Sequence, residues 1–340
     1  MKILEIKRIL LFPIAVFCLM WLVACNEGQK QSNQNDGLEP ALSQLNQGIA
    51  IDSTDHTLYF ARGEWYYKQQ EYELAINDLE RAIDLDPNIP EYYHLLSDTY
   101  MDNYRSKEAM EVMVKAGDQF GERIPTLLKL SETQYILKQY EPSLFTVAKI
   151  LTIDNEHPEA YFMMGLNFRA LDEVEKAINA FQTATELNPE LVDAWLILGK
   201  LFENRNNDLA LQYYEAAINV NPDMPETWHS KAFFLQNNGR IEDAIEVYRQ
   251  INTIDRYYMD AYLNAGILYL EIDSLQPAYE QFNIMINLKS QNFIGHYYRG
   301  IVNEAMGNIE AAKTDFQNTL NLKPDYAKAQ IALKRLESEG

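Results

Sequence analysis

The sequence has few cysteines and is short of positive charge. Only Cys18 and Cys25 occur in 340 residues, so a framework of several disulfides cannot hold the fold together. Lysine and arginine number 29 against 50 aspartates and glutamates, which gives a net charge of −21. Because phosphate backbones are bound by clusters of lysine and arginine, we expect no nucleic-acid partner.

The sequence also lacks the motifs of catalytic and metal sites. It contains no glycine-rich phosphate loop, no zinc-binding histidine pair and no serine or cysteine nucleophile motif. The five histidines are spread along the chain at His56, His94, His157, His229 and His296. Most carboxylates fall at helix ends or first turns, where they offset the backbone dipole. We therefore expect no enzymatic activity, no cofactor and no metal site.

Long apolar runs are absent except near the N-terminus. Three basic residues precede an apolar run of 15 residues at positions 9–23, whereas a transmembrane helix needs about 20. This pattern predicts a secretory signal peptide over residues 1–24. The ending "LVAC" resembles a bacterial lipobox, which implies cleavage before Cys25 and attachment of lipid to its thiol.

The segment that follows is polar. Residues 26–38, "NEGQKQSNQNDGL", predict a flexible tether, so that residues 25–38 would comprise the lipidated cysteine and its linker. Cleavage would remove Cys18 and make the mature chain still more acidic, which disfavours adhesion to anionic lipid through side chains. We therefore expect the lipid on Cys25 to make the contact with the membrane.

From residue 39 onward the sequence is periodic. Small residues recur every 34 positions, with one step of 33, at Gly63, Ser97, Ser131, Gly165, Gly199, Ala232, Gly266 and Gly300. A second series follows eleven or twelve residues later at Ala75, Ala109, Ser143, Ala177, Ala210, Ala244, Ala278 and Ala312. Apolar residues three and four positions apart predict two amphipathic helices in each unit, and prolines such as Pro189 end the second helix.

With these residues the chain resembles the tetratricopeptide repeat (TPR) family. The unit that begins at Pro158 carries the family pattern at Tyr161, Met164, Gly165, Phe168, Ala177, Phe181, Ala184 and Pro189. We identify eight units in residues 56–326, beginning at His56, Pro90, Ile124, Pro158, Val192, Pro225, Met259 and Phe293, between a half repeat at 39–55 and a capping helix at 327–340. The resemblance implies an all-α, right-handed superhelical α-solenoid of stacked helix-turn-helix units.

The small residues have a packing role in this interpretation. We expect the small residue of the first helix to face the alanine of the second, so that the two backbones approach closely. In the third unit Ser143, Ile150 and Asn155 replace the usual Ala, Ala and Pro. We expect looser packing or an altered helix angle there.

The register also predicts which first-helix side chains line the concave groove. In the N-terminal units these are Phe60, Glu64, Tyr67, His94, Asp98, Met101, Leu128, Glu132 and Tyr135. The later, more apolar units supply the candidate partner-binding residues, which are Phe162, Leu166, Arg169, Leu196, Lys200, His229, Phe233, Leu263, Ile267, Leu270, Tyr297 and Ile301. Apolar residues there either pack under neighbouring repeats or bind an amphipathic helix or extended peptide.

Two functions fit these features. The first is a non-catalytic, lipid-anchored scaffold of the bacterial cell envelope, most simply on the outer membrane facing the periplasm, since Asn26 is not the aspartate that signals inner-membrane retention in enteric bacteria. Its partners would be proteins of envelope assembly, secretion or peptidoglycan machinery. The alternative is a glycan-binding or nutrient-binding outer-membrane lipoprotein that uses some of the 22 tyrosines, although many of them occupy structural positions of the repeat.

Overall fold

The computed structural model describes residues 38–338, with side chains from residue 40. This part of the chain forms two compact units that divide between Ser53 and Thr54. The first unit contains helix α1, Leu38–Ile51. The second unit contains α2 His56–Lys68, α3 Tyr72–Leu85, α4 Pro90–Asp102, α5 Ser106–Gln119, α6 Ile124–Ile136, α7 Tyr140–Ile153, α8 Pro158–Ala170, α9 Val174–Leu187, α10 Val192–Glu203, α11 Leu209–Val220, α12 Pro225–Asn237, α13 Ile241–Ile254, α14 Met259–Glu271, α15 Leu275–Leu288, α16 Phe293–Ala305, α17 Ile309–Leu322 and α18 Ala327–Ser338.

The helices of the second unit pair into eight antiparallel hairpins, followed by α18. Each even-numbered helix from α2 to α16 packs against the next helix in the chain, and each hairpin packs against its neighbour. Residues 38–338 contain no β-strand. The prediction of an all-α solenoid of stacked hairpins is therefore confirmed. The first helices begin at the eight residues where the sequence register starts its units.

The two series of small residues lie buried between the helices of each hairpin. The side chain closest to four of the five glycines is the aromatic residue of the second helix rather than the expected alanine, and beside Gly63 it is Leu79. A Cβ added to Gly165 would lie 2.7 Å from Phe181 Cε1, and one added to Gly199 would lie 2.5 Å from Tyr214 Cε1. Glycine is therefore required because a ring edge occupies the space of its missing side chain.

The turn inside every hairpin places one residue in the left-handed region of backbone space. This residue is always the fifteenth of its unit: Gln70, Tyr104, Lys138, Asp172, Asn206, Gly239, Asp273 and Gly307, with φ between 52° and 79°. Only two of the eight are glycines, although a left-handed conformation costs other residues free energy. Asp172, Asn206 and Asp273 are of residue types that tolerate this conformation, so the packing of the two helices imposes it against the local sequence only at Gln70, Tyr104 and Lys138.

The junctions between hairpins use a different device. At four of these junctions the residue that ends the second helix has extended backbone, and its side-chain oxygen accepts a hydrogen bond from the amide two residues on, as in Asp86 with Asn88 (3.0 Å) and Asn188 with Glu190 (3.0 Å). This Asx turn satisfies an amide that the helix leaves free. Proline then starts several first helices, where its missing N–H costs nothing.

Two hairpins depart from the pattern. In the third, Ser143 and Ile150 are fully buried, and Ser143 Oγ donates to the carbonyl oxygen of Ser131 at 2.8 Å while accepting from Asn167 Nδ2 at 2.9 Å. The hydroxyl is thus hydrogen-bonded in a filled core, so the expectation of looser packing finds no support. In the fifth, the missing residue shortens α11 to 12 residues from the 14 of the other second helices.

None of the helices within residues 38–338 is long and apolar enough to cross a bilayer. The signal peptide at 1–24, Cys25 and most of the tether at 25–38 lie outside the described residues. Those three interpretations stay predictions.

Candidate partner-binding face

The even-numbered helices α2 to α16 share one orientation in the stack, so their corresponding residues form rows that run from hairpin to hairpin. We define the first-helix face as positions 2, 5, 9 and 12 of these helices. In α12 the positions are Glu226, His229, Phe233 and Gln236. Their spacing of three and four residues places them on one side of the helix.

Side chains link the face across the N-terminal hairpins. Tyr67 of α2 donates to Asp102 of α4 at 2.8 Å, and Lys129 of α6 lies 2.6 Å from Asp98 of α4 and 3.6 Å from Glu132. His94 Nε2 is 3.1 Å from Thr126 Oγ1. All of these contacts except Lys129–Glu132, which lies within α6, cross from one first helix to the next. This half of the face is therefore polar, and neighbouring hairpins already satisfy much of its charge.

The C-terminal half is more apolar and centres on Phe233. The Lys200 ammonium of α10 lies 5.7 Å from the centroid of the Phe233 ring, and the His229 ring lies nearly parallel to it at 6.4 Å and 12°. His229 Nε2 is 3.3 Å from Asn264 Nδ2 of α14. Three consecutive first helices therefore contribute to this part of the face.

The structure places all twelve candidate groove residues in this array, but it does not leave them equally accessible. Phe233 is exposed, with 41% of its surface accessible, and the other eleven are half-buried. Phe162 and Leu166 pack on the Phe181 cluster, and Leu196 packs on the Tyr214 cluster. Leu263, Ile267 and Leu270 pack around Phe282, and Tyr297 and Ile301 pack around Phe316.

The apolar row therefore stabilises the hairpins as well as presenting a surface. Only Phe233 projects substantially beyond its own core. Arg169 and Lys200 add positive charge, but Lys200 Nζ also donates to Glu203 Oε1 at 2.7 Å. The binding role assigned to the twelve residues stays a prediction.

The two histidines of the face are poorly placed to carry charge. Burial lowers the pKa of His229 most, while the carboxylates of Asp260 and Glu226 partly oppose that shift. Burial and the nearby Arg123 also lower the pKa of His94. Both imidazoles are therefore neutral at pH 7. Within residues 38–338, no three histidine, cysteine or acidic side chains converge as a metal site would require.

Sequence reasoning missed the role of Glu203. Its carboxylate accepts from Tyr214 Oη at 2.6 Å and from Lys200 Nζ at 2.7 Å, joining the face to the hairpin core. Burial and this carboxylate raise the pKa of Tyr214. The sequence signal was the glutamate at position 12 beside a lysine at position 9, but the contact with tyrosine depends on how the two helices cross.

Comparison with known families agrees with the geometry. One family model, described as TPR repeat, matches residues 63–103, and a second, described as tetratricopeptide repeat, matches residues 162–225 and 201–258. The chain carries tetratricopeptide repeats. TPR proteins generally mediate protein–protein interactions, and they do so without a reaction centre of their own in most cases.

Individual TPR proteins match over most of the chain. The TPR repeat-containing protein YpiA of Bacillus subtilis is 24% identical over 91% of this chain and 70% of its own length. Human tetratricopeptide repeat protein 6 is 22% identical over 93% of this chain, which spans about half (55%) of that protein. The crystal structure of the C-terminal part of a TPR protein from Cytophaga hutchinsonii is 17% identical, with a TM-score of 0.60, and covers 71% of this chain and 99% of its own. That likeness shows the shared fold.

Proposed function

We propose that this TPR protein is a non-catalytic scaffold that holds a partner protein on its first-helix face. The observation that carries the proposal is the exposure of Phe233 in the middle of a row of half-buried apolar residues. An aromatic side chain that projects from an ordered surface is typical of the residues that dominate protein–protein binding energy. The partner would place an amphipathic helix or an extended peptide along the face.

We further propose that the scaffold acts in the bacterial cell envelope. The basic residues, the apolar run and the sequence "LVAC" support export and lipid attachment at Cys25, and the acidic composition requires that the lipid itself supply the membrane affinity. The outer membrane, with the TPR array facing the periplasm, is the location that Asn26 favours. Partners would then belong to envelope assembly, secretion or peptidoglycan machinery.

The glycan-binding alternative gains no support from the tyrosines. Tyr93, Tyr100 and Tyr262 are buried in the hairpin cores, and Tyr93 is among the largest fully buried side chains. Sugar binding on a protein surface needs accessible aromatic rings to stack on, and the strongly exposed Tyr104 and Tyr257 lie in a hairpin turn and in a junction between hairpins, outside the first-helix face. We therefore do not propose that function.

Site-specific photo-crosslinking in the native host tests the scaffold proposal. A photoreactive amino acid at position 233 should capture a partner segment, and the same probe at position 145 serves as a control because Phe145 is exposed on a second helix. Mass spectrometry of the adducts would identify the segment. Adducts at 145 with none at 233 would contradict binding on the first-helix face.

A separate experiment tests the membrane attachment. Intact-mass analysis of the protein from its host should show cleavage before Cys25 and a lipid on that residue, while Cys25→Ser should release the protein from the membrane fraction. A chain found in the membrane fraction after this substitution would contradict the lipid anchor.

A further inference from the structure

Phe233 does not stand alone on its helix. Glu226 lies seven residues before it and His229 four residues before it, so the three share one side of α12. The register places Leu196 of α10 and Leu263 of α14 beside His229 on the neighbouring first helices. This part of the face therefore combines an exposed aromatic ring with flanking aliphatic residues.

An acidic row borders these apolar residues on one side. Asp193, Glu226 and Asp260 are exposed residues in the first turns of α10, α12 and α14, each three residues before Leu196, His229 or Leu263. None of the three acids forms an ion pair with another residue of the described chain. Two of them lie close enough to His229 to raise its pKa against the effect of burial. We call these three residues the acidic rim.

We infer that the segment bound at this part of the face is a cationic amphipathic helix, an inference that rests on the proposed scaffold function. Its apolar side would cover Phe233 and the flanking leucines, and its lysines or arginines would meet the acidic rim. The occupant follows from charge complementarity, because the rim is unpaired and the whole chain carries a charge of −21.

The spacing of the rim suits a helix. Packed helices generally lie about 10 Å apart, so we expect acids at the same position of successive first helices to recur at about that interval. Residues seven apart in an α-helix are also separated by about 10 Å along its axis. Lysines at heptad spacing would therefore each reach one rim acid.

The basic residues of the face do not reverse the preference for a cationic segment. The Lys200 charge is shared with Glu203, and Arg169 lies in the last turn of α8, at the end of the first helix opposite the rim. An acidic partner segment would be repelled by the three unpaired carboxylates of the acidic rim. A second copy of this chain would bring the same excess of negative charge.

Binding of designed peptides tests the inference. The probe is a 14-residue helical peptide of leucine and lysine, and the comparison peptides replace its lysines with glutamate or its leucines with serine. Fluorescence anisotropy at physiological salt should show that only the leucine–lysine peptide binds tightly, because binding needs both the apolar side and the positive charge.

Matched variants distinguish binding to the acidic rim from attraction to the overall negative charge of the protein. Glu226→Gln with Asp260→Asn should weaken binding of the leucine–lysine peptide about fivefold, the effect of two exposed ion pairs. The control is Glu141→Gln with Glu242→Gln, which removes two unpaired first-turn acids from second helices and should change affinity less than twofold. Likewise, Phe233→Ser should weaken binding more than Phe145→Ser. Circular dichroism confirms that all variants retain their helical content.

Several results would overturn the inference. Equal losses of affinity in the rim and control variants would mean that peptide binding depends only on the net charge of the protein. Equal binding of the leucine–glutamate peptide would remove the charge argument. If the segment crosslinked at position 233 in the host is neutral or acidic, or belongs to a second copy of this chain, the inference fails while binding on the first-helix face stands.

Discussion

The guanidinium of Arg299 in α16 makes a two-point hydrogen-bonded pair with the buried carboxylate of Asp315 in α17, at 3.0 and 2.7 Å. Asn303 also donates to this carboxylate at 2.9 Å. The first hairpin holds the same arrangement, with Arg62 and Asp78 joined by two bonds of 2.7 Å. An arginine at position 7 and an aspartate sixteen residues later thus join the two helices in the first and last hairpins of the array.

The Arg299–Asp315 pair predicts an asymmetry between single and double substitution. Asp315→Leu should lower the free energy of unfolding of the eighth hairpin by about 3 kcal/mol, because it leaves the charge of a half-buried guanidinium without its carboxylate partner. Arg299→Met combined with Asp315→Leu should cost much less, since no unpaired charge remains. Urea unfolding, together with amide exchange in α16 and α17, measures the loss of stability in the single and in the double variant. A double variant as unstable as the single one would contradict this account.

A prediction about packing concerns Gly165. Glycine to alanine inside a helix normally stabilises, but here the added Cβ would lie 2.7 Å from the Phe181 ring. We expect Gly165→Ala to destabilise the fourth hairpin by about 1–3 kcal/mol through overpacking. Adding Phe181→Leu to Gly165→Ala should recover part of the loss, as a double-mutant cycle measures. A stabilising effect of the single change would show that the ring moves aside freely.

The hairpin turns predict a gain of stability from glycine. Lys138 has a φ of 60°, so Lys138→Gly should raise the free energy of unfolding by about 0.5–1 kcal/mol. The converse change, Gly239→Ala, should lower it by about 1 kcal/mol, because φ is 71° although no atom lies within 4 Å of the added Cβ. Chemical denaturation of both variants gives the comparison. A loss of stability in Lys138→Gly, or a gain in Gly239→Ala, would mean that the turns relax to another conformation.

Two residues of the first-helix face should respond differently to substitution. Phe233→Ser should change the melting temperature little, because much of the ring is already in water. Leu270→Asp should destabilise the seventh hairpin, because Leu270 packs against the Phe282 cluster and a carboxylate there would be partly buried without a partner. Thermal unfolding followed by circular dichroism distinguishes them. Equal melting temperatures for the two variants would place Leu270 outside the core.

His229 predicts a pH dependence of local stability. Its pKa is lowered in the folded chain, mainly by burial, so the unfolded chain binds a proton more readily. The stability it confers is present above the unfolded pKa of about 6.5 and is lost as the pH falls through the lower folded value. Amide exchange in α12 between pH 7 and 5.5 should show this loss.

His229→Leu provides the control for the titration. It should remove the His229 contribution, while Asp260 and Glu226 continue to face the site and Tyr248 and Tyr258 still pack there. His94→Leu should instead reduce the pH dependence around α4, where burial also lowers the pKa of the histidine. An unchanged pH dependence in α12 after His229→Leu would assign the effect to carboxylates.

The sequence predicts the fold more completely than it predicts the candidate binding site. Periodicity placed Leu270 and Phe233 on one face, since both follow the same helical register. It could not separate them, because the exposure of a side chain at a fixed position depends on the bulk of the residues on the adjacent hairpins. Likewise, the unpaired state of Glu226 and Asp260 follows only from where the nearest cations lie.

The sequence by itself determined the helical hairpin, its length and its number of copies. Small residues at an interval of 34, with prolines at the ends of several units, are local features of the sequence. The tertiary structure alone decided which side chain fills the space beside each glycine, which residues take the left-handed turn and that Phe233 stays exposed. Those outcomes depend on how two or three helices pack together, and the spacing within one chain segment does not specify that packing.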